Sequence, residues 1–119
     1  MNRKLKKALV LVDHWLALEV GCRFVRRRRA GYETLRQTDD YLVTINNPDR
    51  GGRTPQLEIV ADEAFFEAHD KETQAILAHN EVMLFKTFMI FKDMDEQGLR
   101  LDKKSRDRLQ AYLAQCQGD

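Results

Sequence analysis

KETQAILAHNEVMLFKTFMIFKDMDEQG, residues 71–98, is the most apolar long run of the chain, and how it folds decides the rest. Val82-Met-Leu-Phe85 and Phe88-Met-Ile-Phe91 place large apolar side chains at nearly every angle around a 3.6-residue turn, so the run predicts a helix over about Lys71 to Gln97. On that helix Glu72, His79, Lys86 and Asp93 recur every seven residues as one thin polar ridge. Such a helix needs cover on almost all sides. In a chain of 119 residues the other elements are few, so a second subunit is expected to supply part of that cover, with Val82, Phe85, Phe88, Met89 and Phe91 as the contact residues of a two-fold homodimer.

Downstream, Asp93-Met-Asp-Glu-Gln-Gly98 begins like a calcium-binding loop, with acids at its first and third places and glycine at its sixth. Arg100 and Lys104 then occupy the places that need an aliphatic residue and a bidentate glutamate, so the run reads as a helix stop at Gly98 and a new start at Asp102. A last helix, about Lys103 to Gln115, buries Leu109, Tyr112 and Leu113.

Upstream, Asp62 is the expected N-cap of a short helix that begins at Glu63 and contains Phe65 and Phe66. Tyr41 to Ile45 and Gln56 to Val60 are rich in β-branched and aromatic residues and predict two strands, while Tyr32 to Thr38 predicts either a third strand or a helical extension. Asn46 to Pro55 holds both prolines and two of the six glycines and is a loop. Within it, Arg50, Gly51, Gly52, Arg53 and Thr54 offer a flexible anion contact, although the spacing of a nucleotide-binding P-loop is absent.

At the N-terminus, Leu5, Leu9, Val12, Leu16 and Val20 form one apolar row and Leu11, Trp15, Leu18, Cys22 and Val25 a second, which predicts one long helix from about Asn2 to Arg29. Gly31 ends it. On that reading Arg26, Arg27, Arg28 and Arg29 fall in the last turns, where they meet the negative end of the helix dipole and also form the basic cluster best placed for a partner or a phosphate. The predicted fold is therefore a mainly helical α+β domain spanning residues 1–119. It has a long N-terminal helix, a β-hairpin or small antiparallel sheet in residues 32–60, and a helical C-terminal half around a central apolar helix.

Charge and chemistry then bound the function. The net charge is +1, but residues 1–30 carry nine basic and two acidic side chains, whereas residues 58–96 carry ten acids against three lysines. A protein that grips a long phosphate backbone is usually far more basic. Asp13, His14 and Glu19 break the apolar run that follows the basic start, so the segment is neither an export signal nor a membrane span, and a cytoplasmic protein is expected. Cys22 and Cys116 stand in no metal-ligand spacing, His69 and His79 belong to no HExxH motif, and Ser105 is the sole serine, so no cofactor, metal site or catalytic centre is expected. The expectation is a regulator or adaptor that docks on a protein partner. Its alternative is a nucleic-acid-binding protein that uses Arg26 to Arg29 and the loop 46–55.

Overall fold

The computed structural model describes residues 3–46, 54–99 and 102–117, without the side chains at 112, 113 and 115–117. Among the described residues the chain is α+β, with α1 (Arg3–Ala17), β1 (Gly21–Val25), β2 (Tyr32–Gln37), β3 (Leu42–Asn46), β4 (Gln56–Val60), α2 (Glu63–Ala68), α3 (Lys71–Glu96) and α4 (Lys103–Gln117). These elements group into two compact units. Residues Glu19–Val82 form one, and Met1–Leu18 with Met83–Asp119 form the other.

In the first unit the sheet order is β1-β4-β3-β2, with β1 parallel to β4 and the other neighbours antiparallel. The sheet is therefore mixed rather than the small antiparallel one expected, because it gains β1 from the segment assigned to the N-terminal helix. Register pairs Cys22 with Leu57, Phe24 with Ile59, Ile59 with Val43 and Leu57 with Ile45, so these side chains share one face. Phe65 of α2 stacks on Phe24 at 5.4 Å between ring centroids, and Phe66 meets the same ring edge-on at 6.2 Å. Arg23, Glu58 and Thr44 fall on the opposite face.

The N-terminal helix is shorter than its periodicity suggested. It stops at Ala17, where the amide of Leu18 donates to the carbonyls of His14 and Trp15. Val20, Cys22 and Val25 fit a helical row, yet Cys22-Arg-Phe24 also alternates apolar and charged residues. So short a run does not separate a period of 3.6 from one of 2. Pairing along the whole of Gln56–Val60 then favours the strand, since valine, phenylalanine and cysteine in this setting pack well on a pleated surface. Arg26 to Arg29 consequently connect two strands and do not end a helix. Gly31, with φ 86°, makes the turn into β2, a backbone conformation costly for other residues.

The caps follow the sequence closely. Asp62, Asp70 and Asp102 accept the amides of Phe65, Thr73 and Ser105 at 3.0, 2.8 and 2.7 Å and start α2, α3 and α4. Gly98, with φ 69°, ends α3, and the amide of Leu99 reaches back to the carbonyl of Met94 at 2.8 Å. Asp93 lies within α3, so the run to Gly98 is a helix end and not a cation loop.

In the second unit α1 buries Leu5, Ala8, Val12 and Trp15, while α3 buries Met83, Phe85, Ile90 and Met94, and Leu109 of α4 is buried as well. The Trp15 and Phe85 rings meet edge to face at 6.0 Å. Two members of the polar ridge of α3 bond to α1 rather than to water. Lys86 Nζ donates to the carbonyl of Leu16 at 3.0 Å, and Trp15 Nε1 donates to Asp93 Oδ2 at 2.7 Å. Burial pushes the Lys86 ammonium below its usual value, and the last carbonyls of α1 supply the compensating acceptor and dipole.

Trp15→Phe keeps the aromatic contact but strips the half-buried Asp93 carboxylate of its donor. A loss of about 1.5–3 kcal/mol in unfolding free energy is expected from urea titration followed by circular dichroism. An unchanged midpoint would refute the role given to this bond.

Candidate functional site

The arginine segment between β1 and β2 is largely engaged within its own unit. Arg26 donates to Glu63 and lies over the Phe66 ring at 4.6 Å, which ties the segment to α2. Arg28 Nη2 donates to the carbonyl of Tyr32 at 3.0 Å. Arg29 reaches Glu58 Oε2 at 3.3 Å, and its guanidinium sits over the Tyr32 ring at 5.3 Å. Arg27 is exposed and has no ion pair or hydrogen bond among the described residues. Arg50 and Arg53 lie outside the described residues.

Two residues that the sequence did not single out complete this site. Arg23 of β1 grips Glu58 through Nε at 2.7 Å and Nη2 at 2.6 Å, and Glu58 itself is buried in β4. Hydrogen bonding to Glu58, followed by its charge, raises the Arg23 pKa, as Glu63 does for Arg26. A signal for Glu58 was present in Leu57-Glu-Ile59, a charged residue inside the most apolar strand. Burying such a residue is costly unless a cation pairs with it.

A second buried carboxylate, Glu81 of α3, organises the other face of the same unit. Arg36 Nε and Nη2 bind its two oxygens at 2.6 and 2.5 Å, and the Tyr41 hydroxyl donates at 2.6 Å. Burial raises the Glu81 carboxyl, but the bonds from Arg36 and Tyr41 outweigh it, so the group lies below the ordinary carboxylate range. Tyr41 is pushed up to about 12 by burial and by its bond to Glu81. Cys22 is likewise pushed up to about 12, first by burial and then by the Glu81 charge, which leaves almost no thiolate near neutral pH and makes it a poor nucleophile.

An open cleft of about 320 Å³ lies beside this cluster, with Arg26, Gln37, Asp40, Tyr41 and Asp62 in its wall, and a second of about 220 Å³ includes Asp39, Phe65 and His69. His69 stacks on Phe65 at 4.2 Å and its Nδ1 bonds the Phe65 carbonyl at 3.0 Å, so its ring serves the packing of α2. Among the described residues no group of three His, Cys, Asp or Glu side chains is arranged to hold a metal ion, and no helix is long and apolar enough to cross a membrane.

The five residues singled out on the apolar helix are placed very differently. Phe85 is buried against Trp15, and Val82, Met89 and Phe91 are half-buried, with Arg106 over the Phe91 ring at 5.6 Å. Phe88 is 61% exposed. One turn earlier, Leu84 is 49% exposed, a residue that the periodicity had not distinguished from its neighbours.

No protein-family model, no curated protein and no solved structure matches the chain, so function rests on this geometry alone.

Because the folded pKa of Glu81 is depressed, its stabilisation is present in full above the ordinary value of 4.5 and is lost as pH falls through the folded value. Glu81→Gln is expected to cost about 3 kcal/mol at pH 7, since it strips Arg36 of its counter-ion, and to flatten the fall in thermal midpoint on acidification. Parallel acid limbs for the two proteins would contradict this.

Proposed function

We propose that the chain is a cytoplasmic, non-enzymatic interaction protein that pairs with a second copy of itself along its apolar helix, α3, and in that form docks on a protein partner as a regulator or adaptor. The observation that carries the reading is the exposed pair Leu84 and Phe88, four residues apart and therefore adjacent on one helix face. Val10 of α1, in the same compact unit, is exposed as well. Covering an exposed leucine or phenylalanine is worth about 1.5–3 kcal/mol, and two-fold symmetry counts each contact twice.

Charge around the pair suits a self-complementary surface. Lys92 and Asp95, both exposed, follow Phe88 on α3, so one patch offers both signs to its own copy. The non-enzymatic part of the reading draws on the suppressed thiolate of Cys22 and the structural engagement of His69. The nucleic-acid alternative, built on Arg26 to Arg29 with Arg50 and Arg53, draws less support, since Arg26 and Arg28 already hold partners within the chain and a long phosphate backbone calls for a far more basic protein.

Sedimentation equilibrium over a wide concentration range is the test. The wild-type mass is expected to approach twice 13.9 kDa, and Phe88→Glu to sediment as a monomer with an unchanged circular dichroism spectrum. A wild-type monomer at every concentration, or a variant that still dimerises, would overturn the reading.

A further inference from the structure

Two cations converge on one oxygen of one buried anion in the sheet unit. Glu58 Oε2 takes Arg23 Nη2 at 2.6 Å and Arg29 Nη2 at 3.3 Å, and the Glu58 side chain is 2% exposed while those of Arg23 and Arg29 are 55% and 53% exposed. The trio therefore carries a net positive charge, with its negative member inside and its positive members at the surface.

From this we infer that Arg23 and Arg29 form a binding site for a single phosphate-type oxyanion, held in place from beneath by Glu58. Each guanidinium has five N–H donors in a planar fork. Arg23 directs its Nε and Nη2 edge to Glu58, and Arg29 directs one nitrogen there, so each keeps donors for an outer ligand. Because Nη2 of Arg23 and Nη2 of Arg29 reach the same oxygen at 2.6 and 3.3 Å, these two nitrogens are at most 5.9 Å apart, which brings the two guanidinium forks within the span of one tetrahedral anion.

Pre-organisation separates this pair from an ordinary basic patch. Glu58 is paired with Arg23 across the β1–β4 ladder, and its backbone carbonyl accepts the hydroxyl of buried Thr44 at 2.9 Å. Arg29 is also stacked over Tyr32, whose carbonyl holds Arg28, and Arg27, exposed and with no bonding partner among the described residues, lies in the same segment. Guanidiniums fixed in advance lose less conformational freedom when a ligand arrives. The ten acids against three lysines in residues 58–96 favour one phosphate group over a long phosphate polymer. Inorganic phosphate and a phosphorylated side chain share the required chemistry. The inference is independent of self-association through α3, so either can fail alone.

The full chain, with uniform ¹⁵N labelling, is titrated with inorganic phosphate, O-phosphoserine and a single-stranded oligonucleotide at constant ionic strength set by chloride, with the arginine Nε–Hε signals as readout. Saturable shifts of Arg23 and Arg29 with dissociation constants on the order of 1 mM are expected for phosphate and phosphoserine. Arg29→Gln should weaken both at least tenfold while its backbone amide spectrum stays native, and Arg106→Gln should bind like wild type. Tighter binding of phosphoserine assigns the site to a phosphorylated side chain, and tighter binding of phosphate assigns it to the free anion. Flat titrations, equal shifts in Arg29→Gln, or an oligonucleotide that binds more tightly per phosphate than either small probe would overturn the inference.

Discussion

Lys86 and Asp93, seven residues apart on α3, set the rotation of that helix against α1. The ammonium of Lys86 needs an acceptor where it is buried, and the last turn of α1 has a carbonyl at Leu16 with no helical partner; each satisfies the other. Asp93 in turn holds the indole N–H of Trp15, while the Trp15 ring closes on Phe85. At about 100° per residue, Lys86 and Asp93 share one side of the helix and Leu84 with Phe88 occupy the opposite one. In this half of α3 the polar pair Lys86 and Asp93 is thus turned toward α1 and an apolar pair toward solvent, the reverse of an ordinary surface helix. That inversion makes an additional apolar partner for α3 a physical expectation.

The sheet unit obeys the same rule by other means. Of its two buried carboxylates, Glu58 takes Arg23 from β1 and Arg29 from the β1–β2 connection, and Glu81 takes Arg36 from β2 and the hydroxyl of Tyr41. Arg36 and Glu81 join β2 to α3 across 45 residues of sequence. Most of the arginine-rich segment is therefore committed to holding β1, β2, β4 and α2 in register. What remains for a ligand is narrower than four consecutive arginines suggest: the outward donors of Arg23 and Arg29, and Arg27.

Much of the architecture was legible because it rests on local chemistry. Asp62, Asp102 and Gly98 mark helix ends through bonds to their own backbone, Gln56–Val60 carries its strand propensity within five residues, and the run from Lys71 is too long and too evenly apolar to be anything but helix. What escaped reading depends on distant partners. Gly21–Val25 is a strand because Gln56–Val60 lies beside it, so a helical row extrapolated from Leu5 ran past its true end at Ala17. The same error carried Arg26 to Arg29 onto a helix and hid Arg23, whose role follows only from register opposite Glu58. On α3, seven-residue spacing revealed the polar ridge but not its direction, since nothing near Lys86 in sequence announces the carbonyl of Leu16.

The proposed function rests on two outcomes together: a helix whose apolar pair is left outside by its own polar anchors, and a sheet whose arginines mostly hold the fold. Cross-linking with a short bismaleimide tests the first most directly, in a background where Cys22 and Cys116 are replaced by serine. Phe88→Cys should yield a covalent dimer in high proportion, whereas His79→Cys, exposed on the opposite side of the same helix, should yield almost no covalent dimer although the chain still pairs. Equal cross-linking at the two positions, or none at position 88, would contradict the account.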